Sequence, residues 1–306
     1  MATSVIPWRS VARGRIWSDE PLAKHTSLRI GGPVDWFAEP EDLDELRALL
    51  EESSQAGEPI LLVGGGTNLL ASDRGFRGIA IHLRRPYFTQ TEILTDASTR
   101  DRVRLWCGAG VATNRLVTMA AEQGWGDVER LAGLPGSVGG AVVMNAQEMG
   151  QFVEAVLLVD PAGGVHHLTR GALRFHYRYS EMPAGIVARV QLTFPRIPPP
   201  DAAAAIEAAF AQRKATQDLS LASAGCAFKN PGGGCAPAGA LIDRSGLKGL
   251  RVGDAQVSLR HANFIVNLGQ ARSLDVLELM ERVQAQVRQD HGVWLEPEVR
   301  ILGERL

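Results

Sequence analysis

Apolar residues along this chain recur at two spacings, and each spacing predicts its own kind of element. Leu43, Leu46 and Leu50 share one helical face between Pro40 and Gly57, so the stretch 40–57 predicts a helix with a glycine stop. Further helices are predicted over Thr113–Gln123, ended by Gly124, and over the alanine-rich run from Asp201 to about Gln217. A last one runs from about Ser273 to His291, with Val276, Met280, Val283 and Val287 on one face and Gly292 as terminator.

Short apolar runs predict strands at Pro59–Val63, Ile79–Leu83 and Val103–Cys107, while Val153–Asp160, Val165–Leu168 and Ile186–Phe194 predict an antiparallel sheet. The final stretch, Val293–Leu302, predicts a closing strand. In it Val293, Leu295, Val299 and Ile301 face one way, and Trp294, Glu296, Glu298 and Arg300 the other. Pro297 marks that strand as an edge. The prolines of Phe194–Asp201 place the clearest domain boundary. Residues 1–20 read as a surface arm, with Trp8 and Trp17 folded back onto the body.

Composition narrows the classes. A chain of 306 residues suggests about two domains. With 45% apolar and 22% charged residues it has the balance of a soluble globular protein. The formal net charge of -2, without a dense Lys/Arg run, argues against nucleic acid as a partner. No stretch approaches the ~20 apolar residues of a spanning helix, and Met1–Glu20 lacks the apolar core of a signal peptide. A cytoplasmic protein is expected, with no membrane insertion and no obligate protein partner. Three cysteines, Cys107, Cys226 and Cys235, form no CxxC pair, so neither a metal site nor a disulfide framework is expected.

Two glycine-rich loops follow strand-like sequence: Gly64-Gly65-Gly66-Thr67-Asn68 and Gly133 to Gly140. Glycine lets backbone N–H groups approach a pyrophosphate, but neither loop has the G-x-G-x-x-G spacing and no Gly-Lys-Ser/Thr occurs. Plain tight turns and a nucleotide cradle both remain open. Further on, Ala224 to Pro231 gathers a thiol, an ammonium and an amide (Cys226, Lys229 and Asn230) beside small residues that leave room for a ligand. Arg178 lies among aromatics, either packed on Tyr177 or Tyr179 or held ready to grip an anion. Glu298 and Arg300 share a face, either as a solvated edge pair or as part of a site. Gln256 and the run His261 to Asn267 mix amides with apolar residues, as a ligand site or a braced turn would. His261 is assigned no chemistry.

Taken in order, these segments resemble the UDP-N-acetylenolpyruvoylglucosamine reductase family, from about His25 to Gly303. The matching stretches are Thr26 to Gly32, Gly64 to Leu70, Gly133 to Asn145, Tyr177 to Ser180 and Gly225 to Pro231. They continue through Ala238 to Asp243, Gly246 to Gly249 and Leu295 to Arg300. The resemblance implies an α+β fold. A two-subdomain FAD-binding region of the vanillyl-alcohol-oxidase/PCMH-like type would span 21–197, divided near 85, and an α+β substrate-binding domain would span 198–306.

It implies bound FAD, NADPH as reductant and a UDP-sugar as substrate. Arg29, Gly64, Gly65, Gly66, Thr67, Asn68 and Leu69 would hold the cofactor, together with Pro135, Gly136, Ser137, Gly139, Gly140 and Asn145. Lys229, Asn230, Gln256 and Arg300 would hold the substrate. Arg178 and Glu298 would stabilise negative charge, and Cys226 would supply a proton where many members carry serine. Only Glu181 to Gly185 separate Ser180 from the next strand, as in the short-loop members. Two rival readings share parts of the pattern. An FAD-dependent oxidase of the same fold would leave the Cys226–Asn230 and Glu298–Arg300 groups without a reason. A non-catalytic UDP-sugar-binding protein would be colourless.

Overall fold

A computed structural model describes residues 13–217 and 220–303. The first elements are β1 (Arg15–Pro21), β2 (Pro33–Glu39), α1 (Leu43–Ala56), β3 (Ile60–Val63), β4 (Leu69–Ala71) and β5 (Phe76–His82). Next come α2 (Pro86–Thr89), β6 (Thr91–Ile93), β7 (Arg102–Gly108), α3 (Thr113–Gln123) and α4 (Val138–Val143). They are followed by β8 (Val153–Val159), β9 (Val165–Thr169), β10 (Arg174–His176), β11 (Tyr179–Glu181) and β12 (Ile186–Pro195). The last third holds α5 (Pro199–Thr216), β13 (Ala222–Cys226), α6 (Ala238–Arg244), β14 (Arg251–Val252), β15 (Ala255–Val257), β16 (Phe264–Asn267), α7 (Ser273–His291) and β17 (Arg300–Leu302). The fold is α+β, as expected.

The described chain divides into two compact units. Among the described residues, one comprises the chain up to Ser18 with Asp35–Gly65 and Arg77–Ala211, and the other Asp19–Val34, Gly66–Phe76 and the chain from Gln212 on. The first unit carries a sheet of order β6-β7-β12-β8-β9, antiparallel throughout, and most of a second of order β1-β2-β5-β3. Its core includes Leu46, Leu49 and Leu50 of α1, Ile79 and Ile81 of β5, and Trp125 stacked on Phe194 at 5.7 Å. α1 begins where the Asp42 side chain accepts from the Glu45 N–H and ends at Gly57 in the left-handed region, so its start lies three residues inside the expected one. The alanine-rich α5 packs Ile206 and Ala209 onto this core.

The second unit has its own core and a sheet of order β13-β16-β15-β14. Helix α7 covers that core with Val276, Leu279, Met280, Val283 and Val287, the expected face plus one leucine. β4 also belongs here, because its backbone pairs in parallel with β17, Leu69 opposite Arg300 and Ala71 opposite Leu302. The first unit runs on to Ala211, and the second takes in two segments from the first third of the chain. Segments 19–34 and 66–76 find backbone partners within the C-terminal unit: Asn267 donates to Leu28 O (2.9 Å) and the Asp73 N–H donates to the Ser273 hydroxyl (3.2 Å).

Three local expectations are corrected. Residues 15–20 of the expected arm belong to the sheet strand β1, while Trp17 does fold back, its ring 5.7 Å from that of Phe37; Trp8 lies outside the described residues. The proline run makes a shorter break than Phe194–Asp201, since only residues 196–198 lie between β12 and α5. β12 runs to Pro195 at its very end and α5 opens at Pro199, both positions where a missing N–H costs nothing. The closing strand is shorter than Val293–Leu302. Only Arg300–Leu302 pairs as strand, because Pro297 lacks an N–H and the preceding residues pair locally with 227–229.

Candidate active site

In the first unit the two glycine loops meet backbone to backbone. A Cβ placed on Gly65 would lie 2.5 Å from Gly136 Cα, and one on Gly64 would lie 3.0 Å from Ser137 Oγ. Glycine at 65 is therefore required by the apposition itself. Gly139 is needed for another reason: its Cβ would lie 2.8 Å from that of Ala109, and its N–H donates to Ala109 O at 2.8 Å. Ser137 caps α4 by accepting from Gly140 N. Pro135, Gly65 and Gly140 are exposed. No carboxylate occurs among Gly64, Gly65 and Pro135–Gly140, leaving a neutral strip of main chain and one hydroxyl.

Arg178 sits in a two-residue turn of the β10–β11 hairpin, whose last pair is His176 with Tyr179. Its φ is +59°, and its guanidinium carbon stands 5.6 Å from the Tyr177 ring centre. Positive φ at the second turn position alone is the pattern of a type II turn, where glycine or asparagine is favoured. An arginine there costs roughly 1–2 kcal/mol of backbone strain. The hairpin is tied down on both strands. Asn145 Nδ2 donates to His176 O (2.8 Å), and the Ser180 hydroxyl donates to Val142 O (2.5 Å).

In the second unit several expected residues come together. The segment after β13 runs antiparallel to the C-terminal segment: Lys229 N donates to Glu296 O and Glu298 N to Ala227 O, both at 2.8 Å, with Phe228 opposite Pro297. Cys226 thus lies one residue from the carbonyl that holds Glu298; both side chains are half-buried. Asn68 closes the cluster, accepting from Arg300 N (3.0 Å) and donating through Nδ2 to Glu298 O (3.1 Å). Leu69 is buried in β4 beside it. Gly66 and Thr67 lead into Asn68, and a Cβ on Gly66 would strike His25 O at 1.8 Å. Arg29 is exposed at φ +57°, between the buried Leu28 and Ile30.

Other expected site residues already hold protein partners. The Lys229 ammonium is 3.4 Å from Glu296, an exposed contact worth little. Asn230 Oδ1 accepts from Ala238 N (3.0 Å), and Gln256 donates to Gly249 O (3.3 Å). The amide-rich run 261–267 proves to contain a brace. Asn263 accepts from Phe228 N (3.0 Å), donates to Phe228 O (2.8 Å) and gives its own carbonyl to Ala227 N (2.7 Å). Ser180 and Asn263 lay outside the expected site set, although the requirement that buried amides be satisfied pointed to the second.

The three cysteines differ sharply. Cys107 is wholly buried and burial pushes its thiol up to about 12, so it stays neutral and inert. Cys226 is half-buried and Cys235 exposed. Burial also pulls His261 below its ordinary value, with the Lys248 charge acting in the same direction.

The profile described as UDP-N-acetylenolpyruvoylglucosamine reductase, C-terminal domain, matches residues 217–302, and one described as FAD binding domain matches 34–169. A UDP-N-acetylenolpyruvoylglucosamine reductase of Geobacter metallireducens is 41% identical over 300 residues, covering 97% of each chain. The chain belongs to the UDP-N-acetylenolpyruvoylglucosamine reductase family. The UDP-N-acetylenolpyruvoylglucosamine reductase 2 of Symbiobacterium thermophilum is 43% identical over 307 residues, covering 96% of this chain and 95% of that one. The solved UDP-N-acetylenolpyruvylglucosamine reductase (MurB) of Thermus caldophilus superposes with a TM-score of 0.78 at 38% identity, covering 95% of this chain and 99% of that one. An FAD-binding reductase needs a place for a pyrophosphate that presents main chain without opposing charge. The Gly64–Gly65 and Pro135–Gly140 backbones fit that requirement.

Proposed function

We propose that this protein reduces the enolpyruvyl group of UDP-N-acetylenolpyruvoylglucosamine to give UDP-N-acetylmuramate, a peptidoglycan precursor, with NADPH as electron source and in the cytoplasm. When bound, FAD supplies two-electron hydride transfer between nicotinamide and the enolpyruvyl carbon. The chain's own residues handle charge and the proton. As C3 of the enolpyruvyl group gains hydride, negative charge develops on C2 and the adjoining carboxylate. The Arg178 guanidinium answers that charge as a fixed cation, and Glu298 answers it as a hydrogen-bond donor in its protonated form. Cys226 gives its proton to C2, and the thiolate is reprotonated from solvent through its half-open face. Lys229, Asn230, Gln256 and Arg300 bind the nucleotide and the substrate carboxylate. Arg29, Gly64–Leu69 and Pro135–Gly140 bind the cofactor.

The observation that carries this reading is the adjacency in the C-terminal unit. Ala227, the residue after the thiol at 226, accepts from the Glu298 N–H at 2.8 Å, so the segments that carry Cys226 and Glu298 run side by side. The test is anaerobic. Yellow protein reduced by NADPH should recover its flavin absorbance when the enolpyruvyl nucleotide is added, with UDP-N-acetylmuramate as product. Flavin that stays bleached with the nucleotide yet recovers with oxygen would indicate an oxidase of the same fold instead.

A further inference from the structure

We propose that Asn145 is a positioning residue for Arg178, holding the Tyr177–Arg178 turn in the conformation that presents the guanidinium to substrate, and that its main partners are therefore within the protein. The proposal rests on the role given to Arg178 above. Asn145 itself adopts φ +43°, in the left-handed region that asparagine tolerates better than most side chains. Its Oδ1 accepts from Gly150 N at 2.8 Å, which fixes which end of the amide is oxygen. Its Nδ2 then donates to His176 O at 2.8 Å, one residue before the turn. Asparagine alone among residues of this length has both an acceptor and a donor to give. Aspartate has only acceptors, one of which would face a carbonyl.

The hairpin needs such a tie. Its strands are three residues long, too short to stand alone. Its turn carries a positive φ at arginine rather than glycine. The Ser180 hydroxyl fastens the opposite strand to Val142 O, so both strands are held by one stretch, 142–145. The segment after Asn145 is seated as well. A Cβ on Gly150 would lie 2.3 Å from Phe175 Cγ, so the backbone at 150 lies directly against the β10 side chain. Strain kept at a turn and offset by neighbouring bonds is how a catalytic side chain is fixed in place.

The test uses flavin-loaded protein and separates the two half-reactions by stopped flow. Asn145→Gly keeps the left-handed backbone and removes the amide. Asn145→Asp keeps the Gly150 contact and loses the donor to His176. For both, flavin content and the rate of reduction by NADPH should stay within about twofold of wild type. Reoxidation by the enolpyruvyl nucleotide should slow by roughly tenfold to a hundredfold, the cost of a misplaced group. In an Arg178→Gly background, Asn145→Gly should slow reoxidation no further, because the two act as one unit. Lost flavin, or equal slowing of both half-reactions, would make Asn145 a cofactor residue and overturn the proposal. So would wild-type reoxidation in both Asn145 variants while Arg178→Gly is slow. Wild-type reoxidation by Arg178→Gly would instead overturn the role of Arg178.

Discussion

The side-chain amide of Asn68 donates to the carbonyl oxygen of Glu298 at 3.1 Å, joining residues 230 positions apart. The sequence marks Asn68 as a member of a glycine loop; its position gives it a second task, fixing the backbone that carries Glu298. Asn68→Ala should lower stability by about 1 kcal/mol, the net worth of one hydrogen bond. It should slow flavin reoxidation more than flavin reduction. Melting temperature and stopped-flow traces check both, and equal slowing of the two steps would remove Glu298 from the account.

Arg178→Gly should separate stability from activity. Removing a non-glycine residue from φ +59° relieves roughly 1 kcal/mol of strain. The variant should therefore melt at or above wild type while losing nearly all reoxidation by the enolpyruvyl nucleotide. A variant that melts well below wild type would show that the guanidinium holds the fold instead.

Gly65→Ala should be costly despite being a surface change. Its methyl would sit 2.5 Å from Gly136 Cα, a main-chain neighbour that cannot rotate away. We expect about 1–3 kcal/mol of destabilisation and reduced flavin content after purification. Gly57→Ala, at a glycine with φ +67° whose added methyl meets no atom within 4 Å, serves as a control that should keep its flavin.

Thiol labelling should follow burial. At pH 8 a disulfide reagent should label Cys235 fast and Cys226 more slowly, and leave Cys107 untouched until denaturant is added. Saturating enolpyruvyl nucleotide should protect Cys226 alone. Labelling of Cys107 in the folded state would contradict its burial.

The pH response of His261 has a definite sign. Its folded value lies below the ordinary 6.5 because burial disfavours the charged ring. The unfolded chain therefore takes up a proton first. Its contribution is intact above about pH 6.5 and is lost as pH falls below that value. Melting curves from pH 7.5 to 5.5 should slope less for His261→Gln than for wild type. Equal slopes would show that His261 does not carry the effect.

The helices were legible because their periodicity is local. α3 and α7 have the expected bounds, each ended by a glycine in the left-handed region. In the five-stranded sheet β7, β8, β9 and β12 were legible for the same reason, whereas the three-residue β6 was not expected. What could not be read were elements defined by a distant partner. β4, three residues long, exists because β17 lies beside it. Most of Val293–Leu302 lost its strand character because its neighbours are the irregular 227–229. Among site residues, the chemical types of Cys226 and Glu298 were visible in sequence, but their link through Ala227 O was not. Asn145 and Asn263 look alike as letters, and only their hydrogen bonds reveal them as braces.

The parallel seam between Leu69–Ala71 and Arg300–Leu302 imposes an order on synthesis. The partner for residues 69–71 is made about 230 residues later. A nascent chain halted before position 300 leaves that ladder open, whatever else has already folded. Quality control at the C-terminal unit is thus tied to completion of translation, and a nonsense mutation only a few codons short of residue 300 should yield a protein that proteases clear rather than a weakened enzyme.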